Sequence, residues 1–394
     1  MTDKPLQSAQ RNDLLRMGGA TIVYLVPYAM LTPQVVVRLG EAGASATAVS
    51  VCGLAPFVLI LTMSPITPKI MQRLGLKATQ LLGLTVAALA LMATALLMLV
   101  GSVSLSAYVA FSALLGIAAA FTWTATEASI ATRAPPDRIG SYSAIYQTGL
   151  SVSLAVGPFL PALFQMTDIC LVVTTAVLMG LALALALASL PRQSKPSTVS
   201  THAPAGRVLW RAAVMVLAVA LVGGWFEVGL NAMLPYVALD IGVSSQSAAM
   251  LVGVLATGAL LSQLPIFFLS DKLSTNALYR SCAIALFAGA LMLAVTNLSS
   301  HLLWISAFAF GAGGGALYTL AMIEVARSRN SQPVATLTTL AVSAYTLGGI
   351  VGPFSTGVVL DLTGPQHLWI VLGAVPVVIL LMTFTSLSNQ QKEH

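Results

Sequence analysis

Apolar side chains run through this chain in long continuous stretches separated by short polar or charged breaks. A helix crossing the hydrocarbon core of a bilayer needs about 20 mostly apolar residues. Stretches of that kind lie at 14–37, 46–69, 78–101, 106–132, 139–165, 169–190, 209–236, 246–270, 277–298, 302–326, 332–360 and 367–387. Runs such as LALALALASLP at 181–191 do not follow the apolar-out, polar-in alternation of a membrane β-barrel. The pattern predicts an all-α integral membrane protein with twelve spanning helices.

One long polar break divides the pattern. Residues 191–208 are rich in Pro, Ser, Thr and basic side chains, the composition of a flexible linker. They separate an N-terminal six-helix bundle, 1–190, from a C-terminal one, 209–394. Basic residues collect in cytoplasmic segments of membrane proteins. With the N-terminus cytoplasmic, 17 of the 18 Lys and Arg fall on that face, and Arg38 alone falls outside. The expected topology therefore has both termini and the linker in the cytoplasm, in a cell inner membrane. The polar N-terminal segment lacks a short apolar core with a cleavage site, so no removable signal peptide is expected.

Composition agrees. Hydrophobic residues make up 57% of the 394, charged residues only 8%, and mean hydropathy is +0.91. Soluble domains carry about 25% charged residues, so a soluble enzyme, a nucleic-acid binder and a disulfide scaffold are poor fits. Cys52, Cys170 and Cys282 lie in apolar runs and form no CxxC pair, and the four His residues lie in loops or the tail. No metal site is expected. Without a GxxxxGK[ST] loop, ATP is not the energy source. No cofactor is expected beyond a proton gradient, and no partner beyond lipid and a small-molecule substrate. A monomer is expected.

The two halves repeat each other in the same direction. SALLGIAAAFTWTATEASIATR (112–133) parallels AFAFGAGGGALYTLAMIEVARSR (307–329), with Gly116 to Glu127 and Gly313 to Glu324 both eleven residues apart. Further on, Gly-Pro recurs at 157–158 and 352–353.

On these features the chain resembles the major facilitator superfamily, specifically its drug/proton-antiporter-like branch. The family's loop motif G-x-L-x-D-R-x-G-R-K is approximated by PKIMQRLGLK (68–77), which keeps Arg73, Gly75 and Lys77 but has Gln72 in place of Asp. A second copy, FFLSDKLSTN (267–276), keeps Asp271 and Lys272. The resemblance implies that Asp271 belongs to a cytoplasmic conformational latch. The antiporter motif G-x-x-x-G-P-x-x-G-G is approximated by Gly149, Ser153, Gly157 and Pro158, and again by Gly348, Gly352, Pro353 and Gly357. The family fold implies alternating access, with substrate held between the two halves near mid-membrane. The plainer account of these glycines is a packing seam.

Ionisable groups inside a spanning helix cost free energy and need a reason to be there. Three acids meet that description: Glu127, Glu227 and Glu324. No Lys or Arg lies deep in a span, so the interior suits protons or cations better than phosphate or dicarboxylates. Glu127 has Trp123 one turn earlier; its structural alternative is an interfacial acid satisfied by Arg133 or Arg138. Glu324 is three residues from Arg327, which offers a local ion pair. Glu227 is farthest from any base and has Asn231 one turn on, either as a structural partner or as part of a site. All three are candidates for proton coupling, Glu227 first. Tyr24, Tyr28, Gln34, Tyr146, Gln147, Tyr236, Gln263 and Tyr345 complete the polar lining together with Trp123 and Asn231.

The expected activity is proton-coupled export of a small amphipathic or cationic molecule. Proton-symport uptake of a nutrient or metal-chelate is the alternative, followed by a lipid flippase or a non-transporting sensor. The topology has a direct test: reporter fusions after residues 40, 240 and 300 should read periplasmic, and one near 200 cytoplasmic. A periplasmic reading near 200 overturns the twelve-span arrangement.

Overall fold

In lipid, a chain must satisfy its backbone N–H and C=O groups internally, and a helix does so within one segment. The computed structural model describes residues 3–135, 138–189, 210–270, 272–295, 300–327 and 334–390, and these contain no strand. The linker expected at 191–208 and the latch residue Asp271 lie outside the described residues. The helices are α1 (Asp3–Glu41), α2 (Ala46–Met63), α3 (Thr67–Leu74), α4 (Leu76–Leu99), α5 (Leu105–Arg133), α6 (Ile139–Val156), α7 (Leu160–Leu163) and α8 (Asp168–Ala188). They continue as α9 (Trp210–Gly224), a π-helical turn (Trp225–Leu230), α10 (Asn231–Asp240), α11 (Ser245–Leu269), α12 (Thr275–Val295), α13 (Ser300–Arg327), α14 (Val334–Thr363) and α15 (Leu368–Gln390).

Among the described residues, eleven helical segments are long and apolar enough to cross a membrane, α9 through α10 counting as one. The stretch expected at 139–165 is the exception. There α6 gives way to a 3₁₀ turn at Gly157–Phe159 and then to the four-residue α7. Pro158 and Pro161 lack the N–H that a continuing α-helix would use, so the ladder tightens instead of running on. Outward-facing Leu89, Val177, Phe268 and Leu381 are all more than 60% exposed, as lipid contact requires.

Contacts group the chain into two compact units. The first comprises Met1–Val35 and Ala55–Val199. The second comprises Val36–Leu54 and Ser200–His394, so the tip of the α1–α2 hairpin packs with the second unit.

In the first unit, α4 packs between α5 and α8. A Cβ on Gly116 of α5 would lie 2.1 Å from the Pro56 carbonyl oxygen of α2, and one on Gly157 would lie 2.8 Å from the Val26 carbonyl oxygen of α1. The Ser153 hydroxyl closes the same α6–α1 seam by donating to the Ile22 carbonyl at 2.9 Å. Lys77 donates to the Leu187 carbonyl at 2.8 Å and also to that of Ser189. Arg16 donates to the Ala188 carbonyl at 2.7 Å. Two cations thus satisfy the carbonyls at the C-terminal end of α8, where the helix dipole favours positive charge.

In the second unit, α13 packs against α11, α12 and α9, while α14 packs against α9 and the π turn. A Cβ on Gly311 would sit 1.8 Å from the Leu255 carbonyl oxygen of α11. One on Gly348 would sit 2.1 Å from the Leu221 carbonyl oxygen, and one on Gly224 2.0 Å from that of Tyr345. Gly352 and Pro353 of α14 border Gly229 of the π turn.

These contacts correct the register of the internal repeat. The glycine of α13 that meets a backbone carbonyl of α11, as Gly116 meets α2, is Gly311 rather than Gly313. The same spacing of 195 relates Gly157-Pro158 to Gly352-Pro353. Glu324 is therefore two positions past the counterpart of Glu127, about 200° around the helix at 3.6 residues per turn. The residue matching Trp123 is Tyr318.

A side chain at Gly311 would run into the α11 backbone at Leu255 and Ala259, which cannot turn aside as a flexible side chain would. Gly311→Val should destabilise the protein by about 3 kcal/mol, the upper end for overpacking. Thermal unfolding in detergent measures it. Gly180→Ala, with nothing within 4 Å of the added carbon, is the control expected to show no loss.

Candidate functional site

In the first unit the chemistry gathers on α1, α5 and α6. Glu127 of α5 is exposed. Its carboxyl lies near the Gln147 side chain of α6. Tyr146, the neighbour of Gln147, is buried and lies close to Glu127 and Tyr24. Tyr24 is 1% exposed, with its hydroxyl beside Thr122 and the Trp123 indole. Half-buried Tyr28 lies one turn farther along α1, followed by half-buried Gln34. The structure thus brings Tyr24, Trp123, Glu127, Tyr146 and Gln147 together.

A buried amide supports this group. The Gln80 Nε2 group of α4 donates to the Met17 carbonyl at 2.7 Å, Thr126 Oγ1 at 3.0 Å and Thr21 Oγ1 at 3.1 Å. Its two N–H groups serve three acceptors, and the two threonine hydroxyls meet each other at 2.8 Å. One side chain thereby ties α1, α4 and α5 into a fixed spacing behind Glu127. Arg133, a base that could have satisfied Glu127, pairs with Asp13 of α1 at 2.6 Å, both side chains being largely buried.

In the second unit the site is built on the π turn. Its wider winding carries Trp225, Phe226 and Glu227, and π turns inside α-helices often mark functional positions. Glu227 is half-buried, and its carboxyl lies near the Tyr345 side chain of α14. Tyr345 packs against Tyr318 of α13 with ring centroids 4.3 Å apart. The Asn231 Oδ1 and Trp225 Nε1 atoms are buried without hydrogen-bond partners. A carboxyl, an open acceptor and an open donor therefore lie on the π turn and the start of α10, and α13 and α14 supply two tilted phenols nearby. Such a set can hold a proton or an ammonium group and pack a flat apolar surface.

The other expected positions serve different contacts. Glu324 lies beside Tyr279 of α12, while Arg327 donates to Thr275 Oγ1 at 3.1 Å and to the Ser270 carbonyl. Gln263 accepts from the Thr319 hydroxyl at 2.9 Å on the α11–α13 seam. Tyr236 turns to the α1–α2 hairpin and donates to the Ala44 carbonyl at 3.1 Å. Gly75 has φ +84° between α3 and α4, a left-handed conformation that glycine adopts without strain. Arg73 and Lys272 are exposed. Gly157, Pro158, Gly348, Gly352 and Pro353 form helix seams. Among the described residues, no group of three or more His, Cys, Asp or Glu side chains converges to hold a metal.

Sequence reasoning missed Tyr318, Gln80 and Asp361. For Tyr318 the signal was present, in its alignment with Trp123 under the corrected repeat. The other two act through backbone groups and, for Gln80, two threonine hydroxyls, which leave no pattern in the sequence.

Comparison with known proteins places this geometry in context. The chain resembles the nucleoside transporter NupG in fold: the structure of a mutant form of that protein superposes with a TM-score of 0.75 at 14% identity, covering 95% of this chain and 99% of that one. A second NupG structure gives 0.72 at 15% identity, covering 95% and 98%. In sequence, the "Uncharacterized MFS-type transporter YcaD" of Escherichia coli O139:H28 is 25% identical over 151 residues, 38% of this chain and 38% of that protein. The match thus takes in well under two thirds of that relative's length. The Major Facilitator Superfamily matches residues 17–235 and again 216–394, so together the matches cover nearly the whole chain. With its apolar helices and glycine seams, the chain is a multi-pass membrane protein belonging to the Major Facilitator Superfamily.

Proposed function

We propose that the protein is a twelve-span secondary transporter that couples proton movement to export of a small amphipathic or cationic organic molecule by alternating access. The twelve spans form two six-helix bundles joined by the 191–208 linker, with both termini cytoplasmic in the inner membrane. The observation that carries the coupling is Glu227 on the π turn, near the Tyr345 side chain and the Tyr318 ring packed against it. An ionised carboxyl in low-dielectric surroundings pays a desolvation cost that protonation removes, so taking up or releasing a proton shifts the balance between conformations. Glu127, exposed near Gln147 and one turn from Trp123, suits attraction of a cationic group. The energy source is the proton gradient, and the substrate is an organic cation or amphipath.

The fold likeness to a nucleoside transporter supports a second reading, uptake of a nutrient by proton symport. The direction of flux under an imposed pH gradient separates the two.

Glu227→Gln should abolish gradient-driven accumulation in proteoliposomes, by about tenfold or more, while leaving substrate counterflow without a gradient. The neutral amide still accepts a hydrogen bond but cannot take up or release a proton in this pH range. Full gradient-driven accumulation by the variant makes Glu227 structural and moves the coupling role to Glu127. Separately, Glu127→Gln should weaken binding of a cationic substrate by about tenfold to a hundredfold, the size of one charge-assisted contact. Equilibrium binding of a labelled cation measures it, and unchanged affinity removes Glu127 from the substrate site.

A further inference from the structure

The first four N–H groups of a helix have no partner within it. In α2 all four are accounted for, two of them by the α1–α2 turn. The Ala48 N–H donates to Ser45 Oγ at 3.2 Å, and the Val49 N–H to the Ser45 carbonyl at 3.0 Å. The remaining two go to one carboxylate on α14, more than 300 residues away. The Ala46 N–H donates to Asp361 Oδ1 at 2.8 Å, and the Thr47 N–H to Asp361 Oδ2 at 2.9 Å. Both carboxylate oxygens are engaged, and the negative charge lies where the helix dipole is positive.

The surroundings are shaped for this contact. One turn before Asp361 on α14 is Gly357, where a Cβ would fall 2.7 Å from the Ala46 carbonyl oxygen. Further along the same seam, a Cβ on Gly53 of α2 would fall 2.5 Å from that of Ala232 and 3.4 Å from Pro353. Two hydroxyl contacts flank the hairpin: Tyr236 to the Ala44 carbonyl at 3.1 Å, and Ser245 to the Glu41 carboxylate. Asp361 and the outer residues Ala42, Gly43 and Thr47 are at least partly open to water, so replacement hydrogen bonds are at hand when the contact parts.

From this geometry we propose that Asp361 is a releasable cap. It completes the N-terminus of α2 only while the hairpin tip, residues 36–54, rests on α14. Its release frees that tip as one step of the transport cycle. The proposal rests on the alternating-access reading above, since a cycle is what would require the contact to break. Ion pairs and capping bonds at a water-exposed edge suit that use, because the free and bound states differ by little.

Cys52 is a built-in reporter. It lies on α2 within the hairpin tip and is 5% exposed in the capped state. Cys282 on α12 is half-buried and reports on the integrity of the fold elsewhere in the same unit. With the exposed Cys170 silenced by Cys170→Ser, N-ethylmaleimide labelling is followed at both thiols by mass spectrometry. Asp361→Ala should raise the labelling rate of Cys52 about tenfold, the factor expected on losing a helix cap, with the rate at Cys282 unchanged. Asp361→Asn, which keeps one acceptor oxygen, should fall between wild type and Ala. No rise at Cys52, or an equal rise at Cys52 and Cys282, overturns the proposal, the second because it shows general loosening. Lack of gradient-driven flux in the wild-type protein would sink the transport reading and leave the Cys52 result standing.

Discussion

Lipid tails surround a leucine as favourably as another helix does, so apolar burial gives membrane helices little reason to associate. Association must come from close packing, and packing becomes close where a residue has no side chain to hold two backbones apart. Gly116 against Pro56, Gly311 against Leu255 and Gly348 against Leu221 are such places, each with a backbone carbonyl filling the space a Cβ would take. The functional groups ride on these seams. Glu227 lies on a helical stretch pressed between Gly348 and Gly352 of α14 and Gly314 of α13, and there the winding widens to a π turn. Ser153 and Gly157 hold α6 on α1, which sets Tyr146 and Gln147 of α6 against Tyr24 and Glu127.

The long apolar runs made eleven of the spanning helices readable from the sequence alone, because length and composition are what a bilayer demands. The run at 139–165 was visible too, but its division at Gly157 was not, since the same Gly-Pro in α14 leaves that helix unbroken. Two prolines three residues apart, 158 and 161, remove two donors within one turn, whereas α14 has only Pro353 there. The repeat was legible in outline and misread in register. Eleven-residue spacing from a glycine to a glutamate is an easy coincidence in a helix with four glycines between 311 and 315. Only the contacts tell which glycine meets a neighbouring backbone.

The candidate sites were partly legible for a related reason. A carboxylate in an apolar run announces itself, and Glu127 and Glu227 were readable by that rule alone. Gln80 and Asp361 were not, although each organises several helices. Gln80 reaches a carbonyl and two hydroxyls, and Asp361 reaches two amide hydrogens. Their partners are groups that every residue, or any threonine, supplies, so their importance depends on distance in space rather than on neighbours in the chain. Tyr236 shows the converse. It was read with the lining because of its place near Asn231, yet nine residues along from Glu227 its hydroxyl has turned to the Ala44 carbonyl.

α14 carries both Tyr345, which meets the Glu227 carboxyl, and Asp361, which caps α2 sixteen residues later. At 1.5 Å per residue the two contacts stand about 24 Å apart on one helix. Coupling free energies are reciprocal. If a proton on Glu227 changes how firmly α14 grips the hairpin, then holding the hairpin must change the proton affinity of Glu227 by the same factor. A cross-link, an antibody or a bound molecule that pins residues 36–54 would then act as an effector of protonation at a carboxyl it never touches. The helix is in that sense a thermodynamic balance arm, and Pro353, with no amide hydrogen to give the ladder, stands between its two pans.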